Sequence, residues 1–224
     1  MFEHKKKLLR EVKVERPNPT YANLMQEALG GANGELSAAM TYLSQSFRIQ
    51  NKELKDLFLD IGSEELGHVE MVAETINLLN GDKLDYKEIN EGQIETVTSF
   101  GLNPALVNAS GVPWCGTHAV VTGDLVADLL TNIAAEQRAK VMYEYLYRQI
   151  DDKYVRETIM FLLEREEAHN ALFCEALNKL SDNEGSNARF GLSEDSKLYF
   201  DLSKPGKYFD NPNPEPVKIK KSKK

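Results

Sequence analysis

Residues 64–71 read EELGHVEM and place Glu65 three residues before His68, in a proline-free run rich in helix formers. On a helix, positions i and i+3 share a face, so this glutamate and histidine can present an oxygen and a nitrogen to one point. The chain has four histidines, His4, His68, His118 and His169, and the same pairing recurs once more, as Glu166 and His169 in EEAH. The second pair lies 101 residues after the first. Thirty residues upstream of each paired glutamate stands another, Glu35 and Glu136. The offset of 101 also relates Tyr42 to Tyr143, Glu74 to Glu175, Asn77 to Asn178 and Leu79 to Leu180, the mark of an internal repeat.

Working outward, both pairs fall in long stretches rich in Ala, Leu, Glu, Met and Gln. Four helices are expected, over about 20–50, 52–80, 122–149 and 152–180. Asn51 reads as an N-cap and NGD at 80–82 as a stop, while DD at 151–152 offers the cap of the last helix. Helices joined by such short breaks form antiparallel hairpins, so each repeat is one hairpin. Between the hairpins, residues 81–121 carry FGLNPALVNASGVPWCG, and a connection of this length serves as a crossover or a functional loop. Four helices with one long central connection describe an all-α, ferritin-like four-helix bundle over 1–181. From 182 to 224 the composition turns to Gly, Ser, Asn, Asp and Pro with scattered Phe and Tyr. That segment is expected to be an extended arm, lying on its own bundle or on a neighbouring subunit, with a basic tail.

A glutamate mid-helix and an E-x-x-H pair in the middle of the antiparallel partner fall at the same height. Pairing two such hairpins brings four carboxylates and two imidazoles to the bundle centre, the ligand inventory of ferritin-like di-iron and di-manganese proteins. Oxygen-rich coordination with one nitrogen per ion favours manganese or iron over zinc or copper. Glutamate makes up 23 of 224 residues. At that frequency the four spacings coincide by chance on the order of once in ten thousand. The flanks LSAAMTYL and LLTNIAA are apolar, so an unpaired carboxylate at Glu35 or Glu136 would be costly and a bound cation would relieve it.

Composition narrows the setting. With 224 residues and 42% apolar content the chain can bury a substantial core, and a net charge of −8 argues against nucleic acid as the main partner despite the basic KIKKSKK at 218–224. No run of 18 apolar residues and no signal-peptide h-region is present, so the chain reads as cytoplasmic, with no membrane partner. Cys115 and Cys174 form no C-x-x-C pair for a metal ribbon, an electron-transfer iron centre or a c-type haem.

With these motifs the chain resembles the manganese catalases, a family that includes spore-coat relatives. The resemblance rests on GGANGELSAAMTYLSQSF (30–47), DIGSEELGHVEMV (60–72), GVPW (111–114), TGDLVADLLTNIAAEQRAKVMYEYLY (122–147) and FLLEREEAHNALF (161–173). It implies disproportionation of hydrogen peroxide to water and dioxygen at two manganese ions per subunit, cycling between Mn(II)/Mn(II) and Mn(III)/Mn(III) without haem. It further implies Glu35 and His169 as terminal ligands, Glu65 as the bridge, and His68 and Glu136 completing the set. Symmetry alone would make Glu166 a second bridge. The family instead implies that Glu166 stands off the metals as an acid or base, which suits chemistry that needs an open bridging position and a proton carrier.

By the same resemblance Tyr42 hydrogen-bonds in the outer shell. Asp56 and Asp60 match a calcium site at a subunit contact, completed by backbone oxygens from FDLSKPG at 200–206, and the assembly is a homohexamer. Where some members carry an arginine before the third-helix glutamate, this chain has Ala135. His118 and Trp114 lie in the crossover and are expected to pack it, with the lining of a channel as the alternative, and neither is assigned chemistry. Two other readings compete: a spore-coat structural protein that keeps the metal site, and a di-iron ferroxidase or peroxidase of the rubrerythrin type.

Overall fold

The computed structural model describes residues 6–82 and 101–182. The chain divides into two compact units, Met1–Leu177 and Asn178–Lys224. The arm expected over 182–224 falls almost wholly outside the described residues. Among the described residues the regular structure is helical, apart from one isolated bridge between Val107 and Pro113.

Helix α1 spans Pro19–Gly30, with proline at its first turn and the Asn18 side chain accepting from Thr20 N and Tyr21 N. Helix α2 spans Glu35–Ser46. Together they replace the single helix expected over 20–50. The interruption is the sequence GGANG at 30–34, where glycine is a poor helix former and Gly31 takes an extended conformation at ψ 163°. Space enforces the break as well. A Cβ on Gly30 would sit 2.4 Å from the carbonyl oxygen of Val107, and one on Gly34 would sit 2.6 Å from that of Ala28. The chain therefore folds closely on itself here, and α2 restarts with Glu35 as its first residue.

Helix α3, Lys52–Asn80, begins at the expected cap, with Asn51 Oδ1 accepting from Leu54 N at 3.1 Å. It stops at Gly81, whose φ of 65° lies in the region open to glycine. Helix α4, Leu125–Gln149, is capped by Asp124, and α5, Lys153–Asp182, by Asp152, whose Oδ1 accepts from Tyr154 N and Val155 N. The other oxygen of Asp152 accepts from Glu15 N at 2.7 Å and so anchors the segment that precedes α1.

Helices α1 and α2 each pack on both α3 and α4. The main core cluster takes Met25 and Leu29 from α1, Met71, Ile76 and Leu79 from α3, Tyr143 from α4, Ile159 and Leu162 from α5, and Ile150 from the link between the last two, all essentially inaccessible. The described part of the crossover is held on α1 by side-chain amides. Gln26 donates to the carbonyls of Ala105 and Val107, and Asn23 to that of Ala109. A short 3-10 turn, Gly116–His118, then brings the crossover back over α2.

Candidate metal centre

Each candidate ligand sits where its helix turns an apolar face inward. Glu35 opens α2 directly after the glycine break, where a helix N-terminus favours negative charge. Glu65 and His68 lie mid-way along α3, Glu136 mid-way along α4, and Glu166 and His169 mid-way along α5. All six are buried, and Glu65, His68 and His169 have no accessible surface. The structure thus gathers from four helices every residue singled out by the two E-x-x-H pairs and their upstream glutamates.

The six residues form two overlapping groups. Glu35, Glu65, His68 and Glu166 offer ligand atoms within 4.8 Å of one another, and so do Glu65, Glu136, Glu166 and His169. Glu65 and Glu166 belong to both. His68 turns Nδ1 inward, 2.9 Å from Glu65 Oε2, 3.5 Å from Glu35 Oε2 and 3.9 Å from Glu166 Oε1. His169 does likewise, with Nδ1 2.7 Å from Glu65 Oε1 and 3.9 Å from Glu136 Oε2. The two rings stand nearly parallel, 22° apart with centroids at 5.6 Å.

The donor set fits a pair of cations. Glu65 Oε1, Glu136 Oε2, Glu166 Oε1 and His169 Nδ1 are buried with no hydrogen-bond partner among the described residues. Glu65 Oε1 and His169 Nδ1 approach to 2.7 Å without hydrogen-bonding geometry. Such orphaned buried atoms are rare without a ligand. Four carboxylates and two neutral imidazoles also balance the charge of two divalent ions. Without metal, the cluster holds protons instead. Burial, then the charge of Glu65, pushes Glu35 up to about 7, and the same two causes push Glu136 up to about 7. Burial and the charges of Glu35 and Glu136 drive Glu166 well above the usual carboxylate range. Glu65 is the exception: burial pushes it up, but the closely approaching imidazoles of His169 and His68, the second within hydrogen-bond distance, prevail and hold it well below that range.

Around the ligands lies a crossed pair of tyrosines. Tyr42 on α2 donates to Glu136 Oε1 at 2.5 Å, and Tyr143 on α4 donates to Glu35 Oε1. Each hairpin thus holds the lone glutamate of the other. Sequence reasoning picked out Tyr42 and assigned no role to Tyr143, although the 101-residue offset had already paired the two. It also passed over Glu64 and Arg165, which meet across the back of the histidines, with Arg165 Nε and Nη2 donating to Glu64 at 2.5 and 3.2 Å.

A cavity reaches the centre between α2, α4 and the crossover. Tyr42, Glu136 and Glu166 stand in its lining, with Ala135 and His118 in the wall. For His118 the channel-lining alternative holds: it lines this approach, with Nδ1 buried and unpartnered among the described residues. Trp114 does pack, donating from Nε1 to Ser37 Oγ at 3.0 Å and meeting His118 edge to face. The arginine in this lining is Arg138, one turn beyond Ala135, whose Nε donates to Asn33 Oδ1. Asp56 and Asp60 lie exposed on α3, and their expected partners at 200–206 lie outside the described residues.

Comparison with known proteins agrees with this geometry. The family described as manganese containing catalase matches residues 1–207. A probable manganese catalase of Clostridium acetobutylicum is 68% identical over 216 residues, covering 96% of each chain. Protein CotJC of Bacillus subtilis is 37% identical, over 81% of this chain and 96% of that one. In three dimensions the chain is similar to KatB, a manganese catalase from Anabaena, with a TM-score of 0.84 and 32% identity, covering 97% of this chain and 99% of that one.

Proposed function

The chain belongs to the manganese-containing catalases, and from that premise we propose that it disproportionates hydrogen peroxide to water and dioxygen at two manganese ions. Glu35, Glu65, His68, Glu136 and His169 would hold the pair. When bound, the manganese pair supplies a two-electron store, alternating between Mn(II)/Mn(II) and Mn(III)/Mn(III), and no haem takes part. The observation that carries this reading is the pair of overlapping ligand groups that share Glu65 and Glu166.

Oxidation of peroxide to dioxygen releases two protons, and reduction of a second peroxide to water takes up two. A residue at the reacting side must therefore hold and return protons. Glu166 suits this role better than its repeat partner Glu65. Both are central and buried, yet Glu166 lines the cavity that admits substrate, whereas Glu65 stands behind it between the two imidazoles. Glu65 would accordingly be the carboxylate that both ions share, and Glu166 Oε1 carries the proton. Tyr42, donating to Glu136 at the cavity wall, fixes that carboxylate at the edge of the approach. The calcium site at Asp56 and Asp60 and the homohexamer rest on the family resemblance, and a cytoplasmic location on the lack of a long apolar run in the sequence. Sedimentation with and without a calcium chelator tests the first two together. Among the described residues no helix is long and apolar enough to cross a membrane.

Manganese-loaded protein is expected to contain about two ions per chain, to show no haem absorption band and to release oxygen from peroxide. No oxygen from fully loaded protein would remove the catalase reading, and an iron-loaded form that oxidised ferrous iron instead would favour a ferroxidase. In Glu166→Gln, oxygen release should drop by about 10²- to 10⁴-fold with manganese content unchanged. Loss of manganese in that variant would make Glu166 a ligand.

A further inference from the structure

His68 and His169 both turn Nδ1 toward the carboxylates, which leaves both Nε2 atoms facing away from the centre. Each Nε2 is buried, and neither has a closed hydrogen bond among the described residues. One carboxylate faces both. Glu64 Oε1 lies 3.6 Å from His68 Nε2 and Glu64 Oε2 lies 3.4 Å from His169 Nε2, one oxygen to each ring. The near-parallel stacking of the rings makes this span possible. Behind the carboxylate, Arg165 grips both oxygens through Nε and Nη2, so the planar fork of the guanidinium fixes the plane of the carboxylate.

We propose that Glu64, held by Arg165, is the shared positioning residue of both metal-binding histidines. The inference rests on the dinuclear metal reading given above. A histidine that binds metal through one ring nitrogen ordinarily donates its other N–H to a carboxylate or carbonyl, which sets the tautomer and ring orientation and raises the basicity of the ligating nitrogen. Here a single carboxylate serves two rings, so a change at Glu64 reaches both metal positions together.

The internal repeat explains why the partner is an arginine. Glu64 and Arg165 occupy equivalent positions, 101 residues apart, and they meet where the two halves of the bundle face each other. Identical residues there would set like charges against one another. Two arginines would also face ring N–H donors with more donors. The halves diverge into one acceptor and one clamp, and the acceptor takes the side toward both imidazoles.

The alternative is a partly exposed ion pair, with side chains 28% and 34% accessible, which contributes little on its own. Reversing the pair separates the two accounts. The double variant Glu64→Arg with Arg165→Glu restores an ion pair but sets a guanidinium, which cannot accept a hydrogen bond, against Nε2. The probes are manganese(II) affinity by chelator competition and the visible ligand-field spectrum of the cobalt(II)-loaded protein, with thermal unfolding of the metal-free protein as the folding control. The reversed variant should lose about 10- to 100-fold in manganese affinity and shift the cobalt bands of both sites. Glu64→Gln, which keeps an acceptor oxygen but loses the charge, should fall between it and the wild type. A reversed variant with wild-type affinity and cobalt spectrum overturns the proposal and leaves Glu64 as half of an ion pair. Wild-type protein that binds neither metal overturns the metal reading itself.

Discussion

Tyr42 and Tyr143 hold the lone glutamates of opposite hairpins, and this crossing makes their replacement a direct test of the repeat. Removing either hydroxyl leaves a buried carboxylate oxygen short of a donor, at a cost of about 1–3 kcal/mol. Tyr42→Phe and Tyr143→Phe should therefore lower stability in urea denaturation by similar amounts. A loss at one and none at the other would mean that only one tyrosine still orients its ligand. At this scale the six central residues could be read from spacing, because E-x-x-H fixes which side of a helix faces inward and the offset of 101 supplies the rest. Tyr143 was readable by the same rule. Glu64 was not, since Glu64 and Glu65 are adjacent and identical, about 100° apart around α3, and nothing in the local sequence says that the first turns to the back of the histidines. The change from Glu64 to Arg165 across the repeat also hides their kinship.

The elements were legible where the chain punctuates them and illegible where it does so with glycine alone. Asn51, Gly81, Asp124 and Asp152 cap or stop their helices much as their residue types suggest. The break between α1 and α2 was missed because apolar residues continue on both sides of GGANG, and a glycine in a helical pattern does not by itself end a helix. What decides it is tertiary: the carbonyls of Val107 and Ala28 occupy the places of the Cβ atoms at Gly30 and Gly34. Gly34 has an ordinary φ of −92°, so the constraint there is space and not backbone strain. Gly34→Ala should thus cost about 1–3 kcal/mol. It should also weaken manganese binding, because Glu35 is the next residue. Gly116→Ala is the control, with open space where its Cβ would go and an expected change within about 0.5 kcal/mol. Thermal melts and metal titration of the two variants check this, and equal melting points would dismiss the steric account of the break.

Over the whole molecule, four carboxylates at the centre of a bundle make folding and metal binding one problem, and pH separates their contributions. Glu35 and Glu136 rise from 4.5 to about 7 in the folded, metal-free protein, so between those values the folded state holds more protons than the unfolded one. Stability must then fall as pH rises through that window. Glu166 acts in the same direction, and His169, raised to about 9, extends the fall upward because its contribution is complete below 6.5 and lost as pH climbs to about 9. Glu65, depressed below 4.5, acts oppositely and removes stability as pH drops under that value. The metal-free melting point should accordingly peak near pH 5 and decline toward pH 8. Manganese replaces the held protons, so the rise in melting point it produces should be greater at pH 8 than at pH 6. The growing surface charge of a chain already at −8 predicts a decline of the same sign. Salt distinguishes the two, since a screening length of about 3 Å at 1 M suppresses surface repulsion but barely reaches a buried cluster. A decline that persists in 1 M salt and disappears on adding manganese places its origin at the centre; one abolished by salt alone assigns it to the surface.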